Sequence, residues 1–272
     1  MSTVVKNRRR NQIKNQLRVC LLAVKYNIMR EMLNKVTFLT NVGFMILNNA
    51  TFIVQWMILF RLKEDIGGYT MRDVMLLWGL AASTFGLARI LFARAFSLPD
   101  LIINGKLDAY LVQPKNVLLA VLTSSTNTSA IGDLLYGLLI LCIFCFSVGR
   151  LLLFLLFTVT GALITTAFAL LLGSLSFWFV RADAFGDHMV NAMISFATYP
   201  DGIFRGTARF LLFNVLPVGL AIYRPVHVMI NFNLLELLTV LGYTVLLWGT
   251  AVFVFYRGLR RYSSSNLMEA RM

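Results

Sequence analysis

Three carboxamide side chains, Asn41, Asn48 and Gln55, recur every seven residues within one apolar stretch, with Thr37 and Thr51 close to the same line. Seven residues is close to two helical turns, so on a helix they form a single polar stripe. Carboxamides donate and accept hydrogen bonds, which suits either a neutral polar pathway or bonding to a neighbouring helix, and such a stripe should not face lipid. Ionisable groups are scarcer. Asp133 and Glu236 are the acidic residues in or near apolar runs; both lie close to run ends, so a wet or capping position and a proton relay both stay open. His188 and His227 fall in expected loops on opposite sides, and no Gly-x-Ser-x-Gly elbow accompanies them, which argues against an intramembrane protease. His, Cys and carboxylates nowhere cluster at metal-ligand spacing. Cys20, Cys142 and Cys145 are too dispersed for a disulfide framework and read as small apolar residues. The single Gly-Lys pair, Gly105-Lys106, is followed by Leu107, so the chain has no Gly-x-x-x-x-Gly-Lys-Ser/Thr loop to cradle phosphates. If ATP drives anything here, a separate polypeptide must hydrolyse it.

The elements that carry these residues are read from composition. The 272 residues are 58% hydrophobic and 14% charged, with a mean hydropathy of +0.75, whereas soluble domains carry about 25% charged residues. Apolar runs at Val36–Phe60, Val74–Phe92, Ile131–Val148, Leu151–Val180, Phe210–Tyr223 and Leu234–Tyr256 predict six transmembrane helices. The fifth run is short for a crossing, and is expected to be extended by its flanks or to be partly re-entrant. In the second run Gly79, Ser83 and Gly86 form a small-residue face for close helix packing.

Lys and Arg number 25 against 12 Asp and Glu, a net charge of +13. With a cytoplasmic amino terminus and six crossings, 20 of the 25 fall inside; Arg61, Lys63, Arg72, Arg150 and Arg224 remain outside. The basic excess therefore sets topology, both termini inside, and the scatter over four segments excludes a nucleic-acid partner. Three regions follow: 1–35, a basic segment and amphipathic interfacial helix; 36–256, the six-span domain with a loop at 93–116; and 257–272, a basic cytoplasmic tail. In the first, Ile13, Leu17, Leu21, Val24 and Ile28 recur at helical spacing beside Lys14, Arg18 and Lys25, as on a helix lying on anionic membrane lipid. Charges break its apolar part and no cleavage site follows, so it does not read as a signal peptide.

The loop at 93–116 holds two amphipathic turns. Ser97 can cap the first, with Pro99 and Asp100 in its opening turn and Asn104-Gly105 ending it; Leu98, Leu101 and Ile102 share its apolar face. Leu107, Tyr110 and Leu111 form the second, beside Asp108, and Pro114 stops it. These turns either rest on the membrane or dock a cytoplasmic partner.

An ordered set of segments resembles the ABC-2 type permeases, in their six-helix bacterial export branch: IGGY at 66–69, GKLDAYLVQP at 105–114, FWFVRAD at 177–183, Tyr199-Pro200, LPVGLAIYRP at 216–225 and GLRRYSSS at 258–265. The resemblance implies an all-α exporter subunit in the bacterial inner membrane. It also implies a coupling helix between spans two and three and a dimer with an identical or homologous permease. Two cytoplasmic ATPase subunits would bind the ATP and Mg, leaving this chain without a cofactor. One departure is the polar run Thr123–Ser129 at the start of the third span, which leaves that boundary open. An ion-coupled carrier or a non-transporting scaffold is the alternative; neither paired intramembrane charges nor two repeated halves support a carrier.

Overall fold

Backbone groups in an apolar medium must bond within their own segment, and this chain meets that demand almost entirely with helices. The computed structural model describes residues 2–179 and 182–262, with the backbone alone for 2–14 and Leu17; expectations for those side chains, for Arg181 and for the tail beyond Tyr262 lie outside the described residues. Twelve helices are described: α1 (Ser2–Glu31), α2 (Lys35–Leu62), α3 (Met71–Phe92), α4 (Leu98–Ile103), α5 (Asp108–Leu111), α6 (Val117–Leu122), α7 (Ala130–Phe144), α8 (Val148–Ser174), α9 (Ala182–Phe196), α10 (Gly206–Asn214), α11 (Arg224–Ile230) and α12 (Leu234–Leu259). Polar caps set the starts of α2, α3, α6 and α12. The Asn34 side chain accepts from Thr37 N at 3.2 Å, Asp73 reaches back to Thr70 N at 3.0 Å, and Asn233 accepts from Leu235 N at 2.9 Å.

The central element is α3, with 83% of its apolar stretch buried against 17% for α2 and 22% for α12. The small-residue face expected on it is where α7 packs. A Cβ at Gly79 would lie 3.2 Å from Gly137 O, one at Gly86 would lie 2.8 Å from Ala130 O, and one at Gly137 would run into Ser83 Oγ and Gly79 O. Ser83 Oγ donates to Leu134 O at 3.3 Å across the same contact.

Side-chain contacts sort the helix ends into two groups. At one end, Tyr69 meets Asp201 and His227, and Cys145 Sγ donates to Arg72 O. At the other, Leu98 and Pro99 pack on Gly173, Tyr256 Oη donates to Asn116 Oδ1 at 3.0 Å, and Asn27 Nδ2 donates to Thr123 O at 3.2 Å. These are called the Tyr69 end and the Leu98 end. Six helical elements run between them: α2, α3, α6 with α7, α8, α9 and α12.

Two of the expected spans take a particular form. Among the described residues four helices are long and apolar enough to cross a membrane alone, within Lys35–Leu62, Met71–Ile103, Val148–Phe177 and Leu234–Leu259. The third expected span, Ile131–Val148, is the shorter α7, and the boundary left open before it is a break: α6 and α7 flank the polar run 123–129, whose Asn127 N donates to Arg89 O at 3.0 Å. The fifth expected span, Phe210–Tyr223, takes the re-entrant of its two expected forms and does not run from end to end. Here α10 lies near the Tyr69 end with only Leu212 buried, and Arg209 stands 3.6 Å from Asp201. The chain then dips until Ala221 O approaches Gly161, midway along α8, and returns through a π-helical turn (Gly219–Tyr223) and α11 to His227 at the same end. The two limbs are bent by 75°. End-to-end travel is supplied by α9, from Gly186 beside Leu172 to Tyr199 beside Trp56.

The glycine contact sets a stability prediction. Gly137→Val should overpack α3 against α7 and cost about 1–3 kcal/mol, lowering the melting temperature of the purified chain in detergent. Gly249→Ala, where nothing lies within 4 Å of the new Cβ, should leave it unchanged. Equal melting temperatures for both variants would count against the α3–α7 register.

Candidate functional site

Helix α9 is two-faced. Ala182, Gly186, Val190 and Met193 are buried at helical spacing, while Asn191, Ser195 and Thr198 follow a second line. The second line forms one wall of a cleft of about 460 Å³. The facing wall is α2, through Met45, Asn48, Asn49 and Phe52, and the floor is α3, through Trp78, Ala82 and Phe85. Toward the Tyr69 end the walls close, with the Trp56 and Tyr199 ring centroids 6.1 Å apart; Phe52 and Trp78 stack at 4.4 Å within the cleft.

Asp133, in the first turn of α7, also lines the cleft and is 7% exposed. Asn49 Nδ2 donates to its Oδ1 at 2.6 Å. Of the expected polar stripe, Asn48 lines this cleft, whereas Asn41 and Gln55 stand exposed on the side of α2 that this chain leaves uncovered. Asn49, Asp133, Asn191 and Ser195 escaped the sequence reading as a group, because they come from three helices whose register depends on packing.

A second polar cluster closes the Tyr69 end. Ile66-Gly67-Gly68-Tyr69 is a two-residue reverse turn with φ of +65° and +83° at its glycines, paired by Ile66 N to Tyr69 O at 3.2 Å. Gly67 packs on the Gly202–Ile203 backbone, where a Cβ would lie 2.9 Å from Ile203 N, so the turn sits on the Asp201 loop. Tyr69 Oη donates to Asp201 Oδ1 at 2.5 Å and lies 2.9 Å from His227 Nε2, while Arg209 Nη2 is 3.6 Å from Asp201 Oδ2. Tyr69 has one proton and gives it to Asp201, so toward His227 it accepts, and His227 carries hydrogen on Nε2. Burial works to raise the Asp201 carboxyl; the His227 and Tyr69 hydrogen bonds and the Arg209 charge outweigh it, leaving the group below the ordinary carboxylate range. Burial and the neighbouring Asp201 push the Tyr69 phenol up. Sequence reading placed His227 in an external loop but had no signal for its partners.

The loop at 93–116 differs from expectation in two respects. The two turns exist, as α4 and α5, with Gly105 at φ +67° ending the first, but the Ser97 side chain makes no capping bond; Pro99 in the opening turn has no N–H that needs one. Yet Leu98, Leu101, Ile102 and Leu107 are buried in this chain's own core and are not open to a partner. The reason is proximity: Gly173 at the end of α8 lets Leu98 and Pro99 approach to within 3.2–3.3 Å of where its Cβ would stand, covering the apolar face from within. Asp100, Lys106, Leu111 and Val112 are exposed, and Asp108 and Tyr110 are partly so.

Among the described residues, no three His, Cys, Asp or Glu side chains group to hold a metal ion. A multi-pass helical bundle with a polar cleft inside an apolar exterior has the build of a membrane permease. The chain belongs to the family described as ABC-2 family transporter protein, whose profile matches residues 46–266. No curated protein and no solved structure matches it. The family provides the membrane component of ABC transporters and works with an ABC ATPase, having no ATPase activity of its own.

The Asp201 cluster carries a pH prediction. A carboxyl lowered in the folded chain contributes stability that is fully present above its unfolded value, about 3.9, and is lost as pH falls through the lower folded value. Asp201→Asn should therefore cost about 1–3 kcal/mol near neutral pH, and its melting temperature should converge on the parent's as the buffer is acidified. A gap independent of pH would remove the carboxylate from the account.

Proposed function

We propose that this chain is the membrane-spanning subunit of an exporter powered by separate ABC ATPase subunits, which bind the ATP and Mg. The cleft between α2 and α9 is this chain's share of the translocation pathway, and a second permease, identical or homologous, covers the exposed side of α2. The observation that carries the reading is the cleft itself: polar side chains from α2, α7 and α9 converge there, within an otherwise apolar bundle whose family transports. Asn41 and Gln55, uncovered on α2 to either side of the cleft-lining Asn48, are costly against lipid and are relieved by a partner helix or a polar pathway.

The Leu98 end is cytoplasmic in this reading, with both termini inside a bacterial inner membrane. Taking α9 as the fifth crossing moves Arg205 and Arg209 outside, which leaves 18 of the 25 basic residues on the inner side, still the positive-inside pattern. Coupling is divided between two groups of residues. Asp100, Asp108, Tyr110 and Leu111, with Val112, meet the ATPase; Leu98, Leu101, Ile102 and Leu107 root the turns in the bundle and pass the motion to α8.

Two measurements test this. The purified chain alone should hydrolyse no ATP above a contamination control, and ATPase activity should appear when a co-expressed ABC ATPase is present. Leu111→Asp combined with Val112→Asp changes residues that are 42% and 85% exposed, so the chain should still fold and insert yet lose co-purification with the ATPase. Unchanged co-purification would remove the docking assignment, and transport driven by a proton or sodium gradient without nucleotide would favour a carrier.

A further inference from the structure

Two opposite charges face the cleft without closing on each other. Asp133 and Arg89 both line it. A Cβ at Gly86 would lie 3.0 Å from Asp133 Cβ, so Asp133 leaves α7 level with Gly86, and Arg89 follows three residues later, a rise of about 4.5 Å. No ion pair joins the two within the 4 Å that defines one among the described residues. Each is held by a neutral neighbour instead. Asn49 donates to one Asp133 oxygen, no described donor meets the other, and the Arg89 guanidinium carbon sits 5.5 Å from the centroid of the Phe96 ring.

A buried charge is costly unless neutralised by pairing or by its surroundings. Here a buried carboxylate and a half-buried guanidinium, adjacent along the helix direction, share one cavity that is large enough for a small molecule. A guest with both a positive and a negative group satisfies them together. The remaining surface suits an apolar extension of that guest: Phe52, Trp78, Phe85 and Tyr199 supply ring faces, and Asn48 and Asn191 supply neutral polar groups. Only Asp133 and Arg89 among the residues lining the cleft carry a formal charge, so neither sign prevails.

We infer that the cleft binds a zwitterionic amphiphile, its cationic group at Asp133, its anionic group at Arg89 and its apolar part along the aromatic wall. This rests on the cleft being part of the pathway. The test is binding by the full chain in a neutral maltoside detergent, which needs no ATPase, so its failure is separable from a failure of docking. Three probes share one brominated alkyl tail and end in phosphocholine, trimethylammonium or sulfate. Quenching of Trp78 is read as the difference between the parent and Trp78→Phe.

The phosphocholine probe should bind at least about tenfold more tightly than either singly charged probe. Asp133→Asn should abolish its advantage over the sulfate probe, and Arg89→Gln its advantage over the trimethylammonium probe. Arg89→Lys keeps the charge and should retain the preference, and the Arg89 pair decides the matter if Asp133→Asn does not fold. Phosphocholine without a tail should not displace the probe. Equal binding of all three head groups, a preference that neither residue moves, or full displacement by the tailless compound would overturn the inference. A preference for the trimethylammonium probe alone would do the same, and would assign a simple cation to Asp133.

Discussion

The distance between α3 and α7 determines most of what this protein can do. Glycines at 79, 86 and 137 bring the two backbones so close that a single methyl group would collide with a carbonyl oxygen or the Ser83 hydroxyl. In lipid no hydrophobic force draws helices together, so this packing, with the Ser83 hydrogen bond, is what holds them. It also fixes register. Asp133 faces the cleft beside Asn49 and near Arg89 because Gly86 accepts the first turn of α7 at its own level. A shift of one turn would turn the carboxylate out of reach of both.

How much of this could be read from the sequence depended on whether a residue's role was local. The small face of α3, the two short turns of the loop at 93–116 and the polar break at 123–129 are written in adjacent residues, and each is present. That α9 runs from end to end could not be read from apolarity. Asp183, Asp187 and His188, with Asn191 on the line facing the cleft, lower its hydropathy below that of Phe210–Tyr223, a run that only dips into the bundle. In the loop, the apolar faces of α4 and α5 announce that something covers them. Whether that cover is a partner or α8 depends on Gly173, some seventy residues away along the chain.

The segments that resemble the permease family are distant in sequence but sort by place. IGGY, the Tyr199-Pro200 pair and the helix after LPVGLAIYRP meet at the Tyr69 end, around Asp201. The GKLDAYLVQP loop, the start of FWFVRAD and the GLRRY tail gather at the Leu98 end, where the Phe177 ring packs on Gly258 and lies 6.1 Å from Tyr262. The Tyr69 end is tied by an ionic and hydrogen-bonded cluster around Asp201, and the Leu98 end by aromatic and aliphatic packing with neutral hydrogen bonds such as Tyr256 to Asn116.

The break ahead of α7 has a consequence for the surrounding lipid. With 15 residues, α7 is about 22 Å long, shorter than a hydrocarbon layer of about 30 Å, and its outward side presents Leu135, Leu139 and Ile143 to the acyl chains. Below it the polar run at 123–129 is bonded to α1 and to the ends of α3, so that flank cannot lengthen by winding into one helix. The bilayer must compress along that side, at a cost of a fraction of a kcal/mol for each Å of mismatch. Thin or easily deformed membranes therefore solvate the protein best, and membrane thickness becomes a physical variable that acts on its fold from outside.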